Sequence, residues 1–209
     1  FNRPVDLLTA NTLRAEAKSG IKIEAIIAPS YTPKALKALA RVKSRRILEI
    51  GALSANTKIM QLRHMVGGLL VQDRDVKQIT VEDLQFVTQR KPSEPEIQSL
   101  LFAWKACKHV KSNAILLAKG TQSIGIGAGQ MSRVDSTLIA IRKAGERISG
   151  SVLASDAYFP FPDGVEAAGQ AGVIAIIQPG GSVNDESVIK MADHYKIAMA
   201  FTGFRHFKH

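Results

Sequence analysis

Short apolar runs alternate along this chain with segments of helical period, and turn residues punctuate almost every change between them. Ile23 to Ala28 is a run of this kind, stopped by Pro29. Thr32 and Pro33 then stand as N-cap and first helical residue, with Leu36, Leu39 and Ala40 at helical spacing. Arg46 to Ile50 is the next strand, closed by Gly51. His64 to Gln72 reads as a strand with a bulge at Gly67-Gly68, and Leu84 to Thr88 as another. Ser93 opens a helix from Glu94 to about His109. The strand Ala114 to Ala118 turns at Lys119-Gly120-Thr121 into Ser123 to Ile126, and Ser132 with Asp135 forms a capping box for a helix to about Arg147. Ser151–Ser155, Val173–Ile177 and Ile197–Phe201 complete the strands, separated by helices over 165–171 and 185–194. Such alternation predicts a three-layer α/β/α fold. The break at 89–93 is too short for a flexible linker, so residues 1–209 are expected to form one domain.

Charge narrows the partners. The net charge is +10, and the excess lies in the first 150 residues, with 24 Lys/Arg against 12 Asp/Glu, whereas residues 151–209 hold 4 against 6. The densest run, Lys34 to Arg46, either attracts anionic partners such as phosphates, folate glutamates or nucleic acid, or is a solvated helix face; it carries no interleaved aromatic residue, which counts against a stacking platform for single strands and so against nucleic acid. No apolar run reaches the roughly 18 residues of a membrane span. The single Cys107 excludes an internal disulfide and fits a reducing cytoplasmic compartment. It falls on the apolar face of a helix, where a thiol is inert. One cysteine and scattered histidines, with no H-E-x-x-H or C-x-x-C, make a zinc site unexpected. The start at Phe1 suggests a cleaved product or a fragment, without a signal peptide.

The densest chemical signal is Gly125-Ile-Gly127-Ala-Gly129-Gln-Met-Ser132-Arg133, joining a strand to a helix. Glycines there permit close backbone approach of a ligand, and a helix N-terminus offers free N–H groups to an anion. Arg133 in the first turn opposes the helix dipole, which hints at a functional placement. The dinucleotide fingerprint fails, because Gln130 replaces its third glycine. Asn113 either caps the preceding helix or reads a carboxamide. The loop Asp156 to Asp163, with Tyr158, Phe159 and Phe161, either flanks a flat ring or covers the core. The tail from Thr202 to His209, rich in aromatic and basic residues, is expected to dock.

Taken together, Val110-Lys-Ser-Asn-Ala114, Gly125 to Asp135, Ser155-Asp-Ala-Tyr-Phe-Pro-Phe-Pro-Asp-Gly164, Ile177-Gln-Pro-Gly-Gly-Ser182 and Phe204-Arg-His-Phe-Lys-His209 closely resemble the bifunctional purine-synthesis family that carries AICAR formyltransferase and inosinate cyclohydrolase activities. AICAR is aminoimidazole carboxamide ribonucleotide. Gly67-Gly-Leu-Leu-Val-Gln-Asp73 extends the likeness over essentially the whole chain. The resemblance implies a C-terminal, cytidine-deaminase-like subdomain without the zinc site. It implies AICAR contacts at Asn113, Arg133, Tyr158 and Arg205, and a 10-formyltetrahydrofolate pocket at Val134, Asp163, Ser182 and Val183. A potassium ion is implied near Asp156 and His209, and a homodimer in the complete enzyme. The family's catalytic Lys-His pair belongs to a Lys-His-Ala-Asn-Pro-Cys-Gly motif that this chain lacks; Lys108-His109 repeats only the dipeptide. A chain of this kind would bind and orient substrates without supplying the base. The competing reading is a non-catalytic basic binding or regulatory module on the same fold.

Overall fold

The computed structural model describes residues 1–53 and 60–208, apart from the side chain of Lys18. Two compact units appear where one domain was expected: Phe1–Arg74 and Asp75–His209. Their boundary lies ahead of the break that the sequence marks at 89–93.

In the first unit, helix α1 (Leu7–Lys18) starts at Asp6, whose carboxylate accepts the Thr9 amide at 2.8 Å. Strand β1 (Ala25–Ala28), helix α2 (Pro33–Leu39) and strand β2 (Arg46–Glu49) follow, with β1 and β2 parallel. Thr32 caps α2 as expected, accepting from the Ala35 amide at 3.3 Å. Val5, Ala10, Ile26, Ala28, Ala35, Ala38 and Leu39 form the core of this unit. The expected bulged strand at 64–72 is instead a hairpin of β3 (Met60–Met65) and β4 (Gly68–Asp73). Gly67, with φ of +86°, sits in its turn, a conformation open mainly to glycine.

The second unit is the three-layer sandwich that the alternation predicts. Its sheet contains β5 (Gln85–Phe86), β6 (Ile115–Lys119), β7 (Gln122–Gly127), β8 (Val152–Ser155), β9 (Ala175–Gln178) and β10 (Ala198–Phe201), in the order β5-β10-β9-β8-β6-β7. β8, β9 and β10 are parallel, whereas β5, β6 and β7 pair antiparallel to their neighbours. Strand alternation divides the core into two layers. Leu116 and Ala118 join Val152, Ala154, Ala175 and Ile177 beneath helix α3 (Glu94–Cys107), which contributes Leu100, Ala103, Trp104 and Cys107. Ile115, Leu117, Leu153, Ile176 and Met199 face the other way, toward α4 (Arg133–Ala144), α5 (Asp163–Gln170) and α6 (Asp185–His194). Burying each large apolar side chain here contributes about 1.5–3 kcal/mol. Among the described residues, no helix is long and apolar enough to cross a membrane.

Loops from five strands converge on one edge of this sheet. β8, β9 and β10 end there, leading into Asp156–Asp163, Pro179–Asn184 and Thr202–Lys208. β7 ends beside them before α4, and β6 begins there after Asn113. Open α/β sheets bind ligands at such an edge, outside the carboxyl ends of their parallel strands.

Candidate functional site

The glycine-rich segment serves packing rather than ligand approach. A Cβ on Gly125 would stand 2.2 Å from the Ala140 carbonyl oxygen, and one on Gly127 1.9 Å from that of Ser136. Both contacts are with α4, which lies directly on β7. The expectation that these glycines bring backbone close to a ligand is therefore replaced by a close helix–strand contact. The N-cap expectation holds: Ser132 Oγ accepts the Asp135 amide at 3.1 Å. The return half of the box differs, because the Asp135 carboxylate accepts from the Ser132 hydroxyl rather than from a backbone amide.

Arg133, the first residue of α4, turns inward and is buried. Nη1 donates to Asp156 Oδ1 at 2.6 Å and to Ser155 Oγ at 2.8 Å, while Nη2 donates to Asn113 Oδ1 at 2.8 Å. Asp156 is fully enclosed, and its carboxylate also accepts from Ser112 Oγ and from the Ala114 amide. A buried guanidinium is thus neutralised by a buried carboxylate, the condition under which such a charge is tolerable. Its Nε–H and one Nη2–H remain without a partner among the described residues.

This arrangement bears on the potassium expectation. Arg133 and two further donors already surround the Asp156 carboxylate, so it offers a second cation no uncommitted charge. His209, the other ligand expected, lies outside the described residues. Among those residues no three His, Cys, Asp or Glu side chains gather as metal ligands.

Asn113 neither caps α3 nor points an uncommitted amide at a ligand. Nδ2 donates to the carbonyls of Gln130 and Met131 at 2.9 and 3.2 Å, tying down the loop before α4. The tail docks as expected. The His206 amide donates to the Asp156 carbonyl at 3.0 Å, and the Ser112 amide to the Lys208 carbonyl at 2.8 Å. His206 is buried against Trp104 and contacts the Asp75 carboxylate through Nδ1 at 2.5 Å. Burial lowers the His206 pKa below the usual imidazole value, against the opposing effect of Asp75. Burial likewise pushes the Cys107 thiol far upward, as an inert side chain requires.

Docking the tail places the Arg205 guanidinium 4.7 Å from the centre of the Tyr158 ring, within range of a cation–π attraction. Arg205 forms no ion pair with any described residue. The aromatic loop divides between core and cleft. Phe159 is core, whereas Tyr158 and Phe161 line a cleft of about 380 Å³. Asn113, Arg133, Tyr158 and Arg205 all line that cleft, as do Val134 and Asp163. Ser182 and Val183 do not; Val183 is fully exposed, and the Ser182 hydroxyl accepts from the Asn184 amide at 3.2 Å. Asn184 connects their loop to the aromatic one by donating to the Pro160 carbonyl at 2.7 Å. Sequence reasoning missed Met131 and Phe207 in the lining. Met131 carries no distinctive chemical signal and Phe207 stood out only as part of the aromatic, basic tail; the fold of loop and tail brings both to the cleft.

The description "AICARFT/IMPCHase bienzyme" matches residues 1–143, and the chain belongs to that family. A protein of Bacillus subtilis (strain 168) named "Bifunctional purine biosynthesis protein PurH" is 53% identical over 209 residues, covering 100% of this chain and 40% of the relative. Its namesake in Oceanobacillus iheyensis is 50% identical over 208 residues, with the same coverage. The chain thus spans 40% of the length of these relatives, a share that lends no support to the expected C-terminal placement. One solved structure, "Acinetobacter baumannii RibD, form 2", aligns at 19% identity and a TM-score of 0.35 over 49% of this chain and 32% of that one, a likeness too slight to bear on the fold.

Proposed function

We propose that this chain is the substrate-orienting part of an AICAR formyltransferase acting in purine synthesis, with 10-formyltetrahydrofolate as formyl donor. The observation that carries this reading is the convergence of Asn113, Arg133, Tyr158 and Arg205 on one cleft, with Val134 and Asp163 in the same wall. Family membership supplies the chemical context.

The reaction joins a weak nucleophile to a formyl carbon. The 5-amino lone pair of AICAR is delocalised into the imidazole carboxamide, so attack requires removal of a proton and stabilisation of the tetrahedral oxyanion. The cleft residues suit the steps before that. Arg205, a cation over the Tyr158 ring with no ion pair among the described residues, attracts the anionic nucleotide. Arg133 offers its two remaining N–H groups to an oxygen of the substrate, from a position fixed by Asp156, Ser155 and Asn113. Tyr158 and Phe161 supply ring faces for a flat heterocycle. Val134 and Asp163 would meet the folate, and Ser182 and Val183 would join them through the loop held by Asn184. Holding two reactants in line lowers the barrier by positioning alone.

The proton-transfer group comes from outside this chain. His109 does not replace it: burial and the neighbouring Lys108 and Lys208 lower its pKa, and it lies apart from the cleft lining. A cytoplasmic enzyme completed by other segments, and working as a homodimer, is the corresponding cellular form. The test is a formyl-transfer assay on the chain alone and on the chain mixed with the remainder of the protein. The reading expects no turnover from the chain alone. It expects turnover from the mixture that Arg133→Ala abolishes. Turnover by the chain alone would overturn it, and so would a mixture indifferent to Arg133.

A further inference from the structure

A second site is built into the first unit, around Arg45. This side chain is 9% exposed, a degree of burial that a guanidinium usually reaches only with a counter-charge. Nε donates to the Ile23 carbonyl at 3.1 Å and Nη1 to the Leu39 carbonyl at 3.2 Å. The Leu39 carbonyl closes α2, so part of the role of Arg45 is to satisfy a helix end. Nη2 has no hydrogen-bond partner among the described residues, and no carboxylate of those residues lies within ion-pair distance of the guanidinium.

Arg45 lines a cavity of about 670 Å³ between the end of α1 and the turn from α2 into β2. Lys43 and Arg46 line it too, both exposed and neither ion-paired among the described residues. The one carboxylate in the wall, Glu24, is already matched by Lys22 at 2.8 Å. Three positive charges therefore face the cavity with no ion-pair partner among the described residues. Unlike the surrounding surface lysines, Arg45 is held in place by two carbonyls, so its remaining nitrogen is a fixed donor.

We infer that this cavity binds a phosphate group, free or carried on an organic molecule. A fixed guanidinium nitrogen flanked by mobile cations suits a compact, multiply charged oxyanion, whose oxygens can accept from all three side chains. The volume exceeds that of phosphate alone and leaves room for an attached group. The site involves none of the residues assigned to AICAR or folate and does not depend on that assignment.

The experiment follows the backbone amides of the isotope-labelled 209-residue chain by NMR during titration with inorganic phosphate, ribose 5-phosphate and, as a control, succinate. Shifts should centre on Lys43 to Arg46 and on Gly20 to Glu24. Lys43→Ser and Arg46→Ser, exposed changes that spare folding, should each weaken phosphate binding about threefold to tenfold. Arg45→Lys should weaken it more. Tighter binding of ribose 5-phosphate would identify a carried phosphate as the occupant, and equal binding the free ion. Three outcomes would overturn the proposal: shifts confined to the Arg133 cleft, affinity unchanged in both serine variants, or succinate binding as well as phosphate.

Discussion

Arg133 Nη1 lies 2.6 Å from Asp156 Oδ1, with both side chains almost sealed from water. The pair joins the start of α4 to the end of β8 and determines how much of the guanidinium is left for a ligand. Breaking such a pair leaves one charge buried and alone. Asp156→Ala should destabilise the second unit by about 3–5 kcal/mol. Asp156→Asn should cost less, because an amide still accepts from Arg133. Urea denaturation monitored by Trp104 fluorescence measures both, and equal stability of Asp156→Ala and the unaltered chain would refute the account of the pair.

Arg133→Lys should keep a positive charge beside Asp156 while losing the fork that reaches Ser155 and Asn113 together. Nucleotide affinity in the complete enzyme should fall by about 1–3 kcal/mol. Calorimetry with AICAR checks this, and unchanged affinity would remove Arg133 from the binding surface.

Gly127→Ala adds one carbon where the Ser136 carbonyl oxygen stands 1.9 Å away. Backbone must move to admit it, at about 1–3 kcal/mol. The same substitution at Gly120, where nothing lies within 4 Å but φ is +54°, meets conformational strain without a clash. The melting temperature should fall further for Gly127→Ala than for Gly120→Ala.

His206 gives the pH dependence. Its folded pKa is lowered from the ordinary 6.5 by burial, so the unfolded chain takes up the proton more readily. The corresponding stability is present in full above 6.5 and is lost as the pH falls toward and through the folded value. His109 shifts in the same direction. Denaturation midpoints measured from pH 7.5 to 5 should therefore decline, and more steeply in the unaltered chain than in His206→Asn. Parallel curves would show that His206 does not contribute.

The regular alternation of elements in the second unit was legible because each strand is a short apolar run ended by a turn residue. Even the span of α6 is readable, from Asp185 to His194. α1 was not legible for a physical reason: Leu7 and Leu8 are exposed, and among its described residues only Ala10 is fully buried, with Leu13 half-buried against the same core, so no broad apolar stripe marks it. The hairpin was misread because its strands carry apolar residues on both faces, Leu62, Leu69 and Val71 on one and Leu70 on the other, and these exposed residues look like a buried run when read in sequence. Which residues line the cleft followed from the family motifs only in part, since Asn113, Arg133, Val134, Tyr158, Asp163 and Arg205 do and Ser182 and Val183 do not. The chemistry within it did not follow from them, because the commitments of Arg133, Asn113 and Asp156 to one another depend on three loops meeting at one sheet edge.

Gly125 and Gly127 have a consequence for where a ligand can be felt. With α4 pressed onto β7, the glycine backbone is covered on the helix side, so a phosphate has no seat on the glycines themselves. What they set instead is depth. The spacing between strand and helix fixes how far the first residue of α4 reaches over the sheet edge, so on the proposed reading the grip of the cleft is adjustable at positions outside its lining. Variants that widen that spacing should alter affinity while every ligand-facing side chain stays the same, making this stretch a tuning screw rather than a contact surface.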